Sequence, residues 1–407
     1  MEPIFNKVQW FFSAPTALAE QSYPPKVIYK ATEENGAESS AKDQDDMAIW
    51  IHPVNPSQST VIRSDKHGDI YVYNLDGTVI QTIGPPDNPL REPGNIDVRY
   101  NFPLNGNLID IVGVNQREGD DRILLYAVDK NTRKLTRVDD DIKTGATYGF
   151  CFYHNQENNQ FYGITTSKSG NIQEYRIFDN GNNKIDGELV REFDKLGQTE
   201  GCVVDDETNT VYLAEEDAGV WKIGAMPDAL ASSAYLIPSM KTNANGLKAD
   251  LEGIAVYYSP AGKGYIVISN QGADSAAIFD RQDYSFKTTV KVNTSDGDGL
   301  DVTSANLGSI FPKGALLAHK GGAEINGVDW GLIATGEGLI EDISWNPKGD
   351  GGSGQSRADI NQDGRIDVKD FGIFMSNWGA SGGVADINKD QNVDKDDFAE
   401  IAALWSL

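Results

Sequence analysis

Short, largely apolar runs recur regularly among polar residues through most of the chain up to residue 345, broken by glycine, asparagine and aspartate. Tyr71–Leu75, Leu125–Asp129, Gln173–Ile177, Val220–Ile223 and Ala276–Asp280 are five such runs, and their starts lie 54, 48, 47 and 56 residues apart. Short runs of this kind, rich in apolar and aromatic residues and bounded by turn residues, read as strands. Each run follows another apolar strand and a glycine-bearing turn, as in Val61–Gly68 and Tyr265–Gly272. Strand–turn–strand units at this period point to four-stranded blades. With Ala315–His319 as a sixth unit, the pattern predicts an all-β, six-bladed β-propeller over residues 25–345. A two-sheet sandwich could use the same strands but gives no reason for the period.

The repeat stops at residues 346–357, a glycine-rich stretch with the composition of a flexible linker. A different pattern fills residues 358–407. Asp359, Asn361, Asp363, Asp367 and Asp370 stand at positions 1, 3, 5, 9 and 12 of a loop, with Gly364 at position 6. That spacing lets oxygen side chains converge on one calcium ion around a sharp turn. Twenty-seven residues later Asp386, Asn388, Asp390, Asp394 and Asp397 repeat it, with Gln391 in the glycine's place. Phe371 and Phe398, and Trp378 and Trp405, recur at the same offset. The tail therefore reads as a small α-helical domain with two EF-hand-type calcium loops, each followed by a short amphipathic helix.

Residues 1–24 read as an N-terminal extension. Val8–Phe12 is apolar, Lys7 precedes it, and Ala17-Leu18-Ala19 has the small-x-small form of a signal-peptidase site, so a shortened or degenerate export signal is one reading. The chain contains no run of 18 apolar residues, which excludes a membrane-spanning helix. A formal charge of −26 excludes nucleic acid as a partner, because phosphate backbones require a basic footprint. Of the 407 residues only Cys151 and Cys202 are cysteines, each in or beside an apolar run, and both are expected to be buried free thiols.

Charge acquires a meaning once it is placed on the repeat. Asp45-Asp46, Asn95-x-Asp97, Glu200-Gly201, Glu215-Glu216-Asp217, Asp250-x-Glu252 and Asp296-x-Asp298 fall at comparable points of successive units. Carboxylates gathered this densely repel one another unless cations hold them, and an all-oxygen set favours calcium or magnesium over zinc. Lys66, Lys168, Arg117 and Tyr148 fall in turns or strand ends of the same kind. Cations, bases and a phenol around one pocket suit a phosphate-rich ligand. Covalent phosphatase chemistry lacks its residues: the sixth residue after Cys151 is Glu157 rather than arginine, and Lys66-His67-Gly68 is the nearest run to Arg-His-Gly. The remaining route is attack by water activated on a metal.

These motifs, in order, resemble the β-propeller phytases, the alkaline calcium-dependent phytases. The matching stretches are Asp45–Trp50, Asn95–Tyr100, Tyr148–Phe150, Gln198–Gly201, Leu213–Asp217, Asp250–Gly253 and Thr294–Asp301, within residues 25–330. The resemblance implies hydrolysis of phytate, myo-inositol hexakisphosphate, to lower inositol phosphates and phosphate, as a phosphoric monoester hydrolase of the 3-phytase type. It implies cleft calcium ligands at Asp45, Glu200, Glu215, Glu216, Asp250, Glu252 and Asp298, and further calcium contacts at Asp46 and Asp97. Glu200, Glu216, Asp250, Glu252 and Tyr148 would be catalytic, and Lys66, Lys168, Arg117 and His67 would hold phosphate. His67 stands where the family often has a second lysine, and Val292 aligns with an acidic family position. The tail resembles a dockerin, which implies two bound calcium ions and a cohesin-type or cell-surface partner. Its choice positions hold Val368-Lys369 and Lys395-Asp396, unlike the Ser-Thr pair of cellulosomal dockerins.

The expectation is a secreted, extracellular or periplasmic monomer, with several calcium ions in the propeller and two in the tail, acting on phytate as its calcium complex. Two rival readings are a metal-dependent propeller lactonase or esterase, which has no use for Lys66 and Lys168, and a calcium-dependent adhesion or scaffold protein, which leaves the cleft carboxylates unexplained.

Overall fold

The computed structural model of the chain describes residues 20–31, 43–84, 90–347, 358, 360, 366, 368–388 and 391–404. Six antiparallel sheets follow one another in sequence and make a six-bladed β-propeller. Blade 1 is Gln44–Trp50, Thr60–Asp65, Asp69–Asn74 and Val79–Ile83. Blade 2 begins with Pro93–Leu104, Asn107–Gln116 and Arg122–Val128, and its edge is shared by Leu135–Arg137 and Ile142–Lys143. Blades 3 and 4 start at Phe150–Asn155 and Thr199–Asp205 and end at Ile185–Asp194 and Tyr235–Lys241. Blade 5 runs from Leu251–Ser259 to Phe286–Lys291, with Gln21–Ser22 added in parallel at its outer edge. Blade 6 takes Leu300–Thr303, Ala315–His319 and Glu324–Asp329 from the C-terminal side and Val27–Lys30 from the N-terminal side. That last pairing closes the ring with hydrogen bonds instead of leaving it to loops. Tyr29 fixes it, buried and donating to Leu75 O of blade 1 at 3.0 Å.

Burial explains the sequence pattern. Gln44–Trp50 is buried throughout, whereas Val79–Ile83 and Ile185–Asp194 are largely open to solvent. An innermost strand packs on blades to both sides and needs an almost continuous apolar run, while an outermost one needs only a partial stripe. Trp330, at the start of the helix Trp330–Glu337, stacks on Tyr257 with ring centroids 4.2 Å apart and seals blades 5 and 6.

The innermost strands surround a channel with a cavity of about 130 Å³. Their channel-side N–H groups have no partner strand, and carboxylates of adjacent blades take that place. Ile49 N–H donates to Asp301 at 2.8 Å, Phe152 N–H to Asp97 at 2.8 Å, His154 N–H to Asp206 at 3.1 Å and Ile96 N–H to Asp46 at 3.2 Å. Arg99 compensates two of these acids, Asp97 at 2.9 Å and Asp206 at 2.9 Å. Trp345 lies flat on Tyr258, centroids 4.7 Å apart, where the inner strands end.

The cysteines correct the expectation of free thiols: Cys151 and Cys202 form a disulfide, with Cα atoms 5.4 Å apart. They are 51 residues apart, one blade period, on the innermost strands of blades 3 and 4. Each looks isolated along the chain. A separation of one period is what sets them side by side in a propeller.

In the tail, helices Val368–Ser376 and Lys395–Leu404 pack around Ala358, Phe374, Ala385, Ile387, Val393 and Ile401. Asp397 accepts N–H groups from Ile387, Asn388 and Asp394 at 2.7, 3.0 and 2.8 Å, and Asp386 accepts that of Gln391 at 3.1 Å. Gln391 adopts φ +70°, the conformation glycine would take without strain. Asp370 is buried at the start of the first helix. Asp359, Asn361, Asp363, Asp367, Asp390 and Trp405 lie outside the described residues, as do residues 1–19 and 348–357.

One buried acid makes the fold sensitive to pH away from the cleft. Glu174, 2% exposed, faces Arg191 across blade 3 at 3.6 Å, and neither of its oxygens has a hydrogen bond. Burial outweighs Arg191 and lifts its carboxyl from the usual 4.5 to about 7. A raised folded-state value means stability that is complete below pH 4.5 and lost as pH climbs through about 7. Between about pH 5 and about pH 8 the parent should lose on the order of a few kcal/mol more stability than Glu174→Gln. Urea unfolding of both proteins at the two pH values measures this, and equal losses would contradict it.

Candidate functional site

Two stations recur in each blade at one end of the channel. The first is the entry of the innermost strand, and the second is the turn after the next strand. Asp45, Tyr148, Glu200, Glu252 and Asp298 occupy first stations, at or just before the strands beginning at Gln44, Phe150, Thr199, Leu251 and Leu300. Lys66, Arg117, Lys168, Glu216 and Gln271 occupy second stations, after the strands ending at Asp65, Gln116, Thr165, Glu215 and Asn270. Four first-station residues are followed by glycine, and packing shows why. A Cβ on Gly149 would lie 1.9 Å from Glu200 O, one on Gly201 2.0 Å from Glu252 O, one on Gly253 2.6 Å from Leu300 N and one on Gly299 2.1 Å from Asp46 Oδ1. The blades touch backbone to backbone at this end, which brings their first-station side chains together.

Glu200, Glu216 and Glu252 converge with carboxylate oxygens within 4.8 Å of one another. Glu200 and Glu252 share a hydrogen bond, and the Tyr148 hydroxyl lies beside Glu200 and Glu216, which are alternative acceptors for its one proton. Glu216 also accepts from Gln198 Nε2 at 2.8 Å. Burial alone would raise Glu200, but Arg117, Tyr148 and Glu252 together pull it below the usual carboxylate range. Glu252 moves the other way, raised by burial and then by the charge of Glu200, so it is the partner that keeps the proton. Burial and the charges of Glu200, Glu252 and Glu216 also hold the Tyr148 phenol protonated.

The bases lie against these acids. Arg117 grips Asp45 with both terminal nitrogens, at 3.1 and 2.7 Å, reaches Asn95 Oδ1 at 3.1 Å and pairs with Glu200. Lys66 Nζ is 2.8 Å from Asp298 and 3.3 Å from Asp45. Burial opposes the charge on both bases, and the carboxylates beside them restore it. Tyr148 is stacked between cations, with Arg117 4.7 Å and Lys168 4.5 Å from its ring centre. Asp298 is raised to about 6 by burial, held down in part by Lys66, and also accepts from Gln271 at 2.7 Å.

Other expected site residues stand apart from this group. Glu215 turns to Trp221, whose Nε1 donates to it at 2.7 Å. His67, 55% exposed, faces Asp65 at 3.4 Å. Asp97 faces the channel and pairs with Arg99, and Asp46 is raised by burial and by Asp45 while accepting from Ile96 and Asn95. Asp250 is exposed at φ +75°, raised by burial and by Asp296, Asp217 and Glu200, with its N–H on Glu216 O. Asn95, from one of the recurring clusters, Gln198, from one of the matching stretches, and Gln271 and His319, singled out by neither, also stand around the acids, His319 accepting the N–H of Asp298 at 3.0 Å. Gln271 was detectable, since it occupies the same station as Lys66 and Lys168.

A hard divalent cation fits the three glutamates. All their donors are oxygens, among the described residues no histidine or cysteine joins them, and buried Glu252 Oε2 lacks a hydrogen-bond partner. Carboxylates for a cation, with bases positioned for oxyanions, are the equipment for holding and cleaving a phosphate ester.

Comparison with known proteins agrees with this chemistry. The family described as Phytase matches residues 9–332. A 3-phytase of Bacillus subtilis (strain 168) is 36% identical over 335 residues, spanning 77% of this chain and 86% of the relative. Among solved structures, the β-propeller domain of Myceliophteria thermophila Cps50 (Swd1) is similar with a TM-score of 0.40 at 10% identity, over 70% of this chain and 83% of its own. BBS1N, solved in complex with ARL6DN, gives 0.43 at 9% identity, over 70% and 78%. At those scores neither structural likeness carries an argument. The extent of the family match and the identity to the curated relative do: the chain belongs to the phytase family.

Proposed function

We propose that this phytase is calcium-dependent and hydrolyses phytate in the acidic cleft by direct attack of water. The observation that carries the reading is the convergence of Glu200, Glu216 and Glu252, with one buried oxygen unpartnered, against Arg117, Lys66 and Lys168. Glu200, Glu216 and Glu252 would hold calcium, with Asp45, Asp250 and Asp298 as neighbouring ligands. Bound there, calcium would neutralise substrate charge and make water more acidic.

The chain's own groups have separate tasks. Lys168 and Lys66 bind peripheral phosphate oxygens, and Arg117, whose fork is held by Asp45, Asn95 and Glu200, would contact a phosphate by exchanging one of these partners. Tyr148, kept protonated, donates a hydrogen bond without accepting a proton. Glu252 holds a proton that cation binding would displace. Water forms the new P–O bond as the inositol oxygen departs, and no side chain is esterified. Family membership displaces the lactonase and scaffold readings.

Two further features concern where the enzyme works. The Cys151–Cys202 disulfide and the calcium requirement both favour an oxidising, calcium-rich compartment, so we place the enzyme outside the cytoplasm. Among the described residues no helix is long and apolar enough to cross a membrane. The tail is proposed to be a separate two-calcium module with its own apolar cluster, offering half-exposed Trp378 and Phe398 to a cohesin-type or cell-surface partner.

Chelation followed by dialysis should abolish phosphate release from phytate, and calcium should restore it far better than magnesium, which demands tighter octahedral geometry. Glu216→Gln keeps shape and removes a ligand charge, so turnover should fall about 100-fold, with a much smaller change in melting temperature in saturating calcium. Parent-like turnover in that variant would remove Glu216 from the site.

Lys168→Ala and Lys66→Ala should each weaken binding of inorganic phosphate by about 1.5–3 kcal/mol, the scale of a charge-assisted contact. Calorimetry decides it, and unchanged affinity in both variants would refute the assignment.

Cutting the chain between Gly349 and Ser356 should leave phytase activity intact and release a tail fragment that gains helix with calcium. Activity lost on cutting, or a fragment whose circular dichroism ignores calcium, would refute the two-module organisation.

A further inference from the structure

We propose that the Cys151–Cys202 disulfide is a positioning device for the cleft, holding Tyr148 against Glu200; this rests on the reading above. Tyr148 lies three residues before Cys151, and Glu200 two before Cys202. The two innermost strands that carry them belong to different sheets, so no β-ladder fixes one against the other. Their relative height is set by a short series of rungs. At the top the Tyr148 hydroxyl meets Glu200, and Arg117 pairs with Glu200 while lying over the Tyr148 ring.

Just below, Gly149 packs against Glu200 O so closely that a Cβ would sit at 1.9 Å. Thr166 ties both strands there, accepting from Gly149 N–H at 2.9 Å and donating to Thr199 O at 2.6 Å. The disulfide is the next rung and the covalent one. Below it Arg99 donates to Phe152 O at 2.7 Å and to Val204 O at 3.4 Å. Every other rung is a noncovalent contact that can stretch. The disulfide limits how far the strand entries can slide or part, beside a cleft where Glu200 is crowded from its other side by Glu216 and Glu252.

A staple that only stabilised the folded state would raise the melting temperature and leave the site's chemistry alone. A positioning device acts on properties set by Tyr148 and Glu200. Opening the bond should therefore lower kcat and weaken calcium binding under conditions where the propeller stays folded. Lys66, held by Asp298 and Asp45 of blades 6 and 1, binds substrate away from this seam, so the phytate KM should change less than kcat.

The test compares the full-length parent, the parent reduced by dithiothreitol, and the double variant Cys151→Ala/Cys202→Val, which removes the bond and keeps the site apolar. Reduction transfers two electrons and two protons from the dithiol, giving two cysteine thiols and a cyclic disulfide, so thiol titration reports its extent. Calcium isotherms, kcat, KM and melting curves are recorded for all three, with activity measured well below each melting temperature. We expect no titratable thiol in untreated denatured parent. Without the bond, kcat should fall about ten-fold or more, as for a small misplacement of a reacting group. The calcium isotherm should shift to higher concentration, KM should change by less than about two-fold, and reoxidation of the parent should restore all values.

Two thiols in the untreated parent would overturn the proposal. So would parent-like kcat and calcium affinity in the reduced protein with only the melting temperature lowered, which would make the bond a simple staple. If the double variant fails to fold, the reduced and reoxidised parent decides alone. A parent that binds calcium but releases no phosphate from phytate would sink the functional reading, and the calcium isotherms would still judge the positioning role.

Discussion

Each innermost strand of the ring has an edge facing the channel that no other strand covers. A buried N–H without an acceptor is costly, and there is too little room for a further ladder. Aspartates reaching across from adjacent blades take up this demand: Asp301 on Ile49, Asp46 on Ile96, Asp97 on Phe152 and Asp206 on His154. The bond from Asp301 to Ile49 spans the junction between the last blade and the first, where ring closure is also made by Val27–Lys30. Acidity inside this propeller is thus first a substitute for strand pairing. It carries an electrostatic burden, seen in Asp206 and Asp301, which burial raises to about 7, and Arg99 relieves part of it.

The cleft extends the same construction to the entry ends of the strands. Backbone contact between blades at Gly149, Gly201, Gly253 and Gly299 brings the preceding residues to the mouth of the channel. A side chain on any of these glycines would force blades apart at the point where the site must be tightest. The second station, in the turn after the next strand, then supplies Lys66, Arg117 and Lys168 from the flank. Acids rise from the channel rim and bases lean in over them, so a ligand with many phosphates meets both.

This organisation explains how far the sequence could be read. Short apolar runs and the turns between them identify strands, and counting units gives the blades, because both depend on local spacing. Station also follows from spacing, which is why Asp45, Glu200, Glu216, Glu252, Asp298, Lys66, Arg117 and Lys168 could be singled out together. Direction within a station does not follow. Neighbours on a strand point to opposite faces, so of Glu215 and Glu216 one meets Tyr148 and the other meets Trp221. Of Lys66 and His67, one reaches Asp298 and the other turns to Asp65. The disulfide was hidden for a related reason: contact between blades has a range of one period, and no local window contains both Cys151 and Cys202.

The cleft cannot be what holds this protein together. Two unit charges 4 Å apart interact by about 4 kcal/mol at an effective dielectric of 20, so glutamates crowded within that range oppose folding unless bases or protons intervene. Arg117, Lys66 and the proton on Glu252 intervene, yet Asp45 and Glu216 still titrate upward, raised first by burial. The stabilising work lies elsewhere, in apolar faces between blades such as Tyr257 on Trp330 and in the carboxylate-capped channel edges. The same rigidity that resists repulsion keeps the acids close enough to compete for a cation. A more pliable scaffold would let them drift apart and lose the convergence on which the proposed cation site depends. The ring can keep a strained cluster because each blade is wedged between two others, and no single strand can relax without opening the circle.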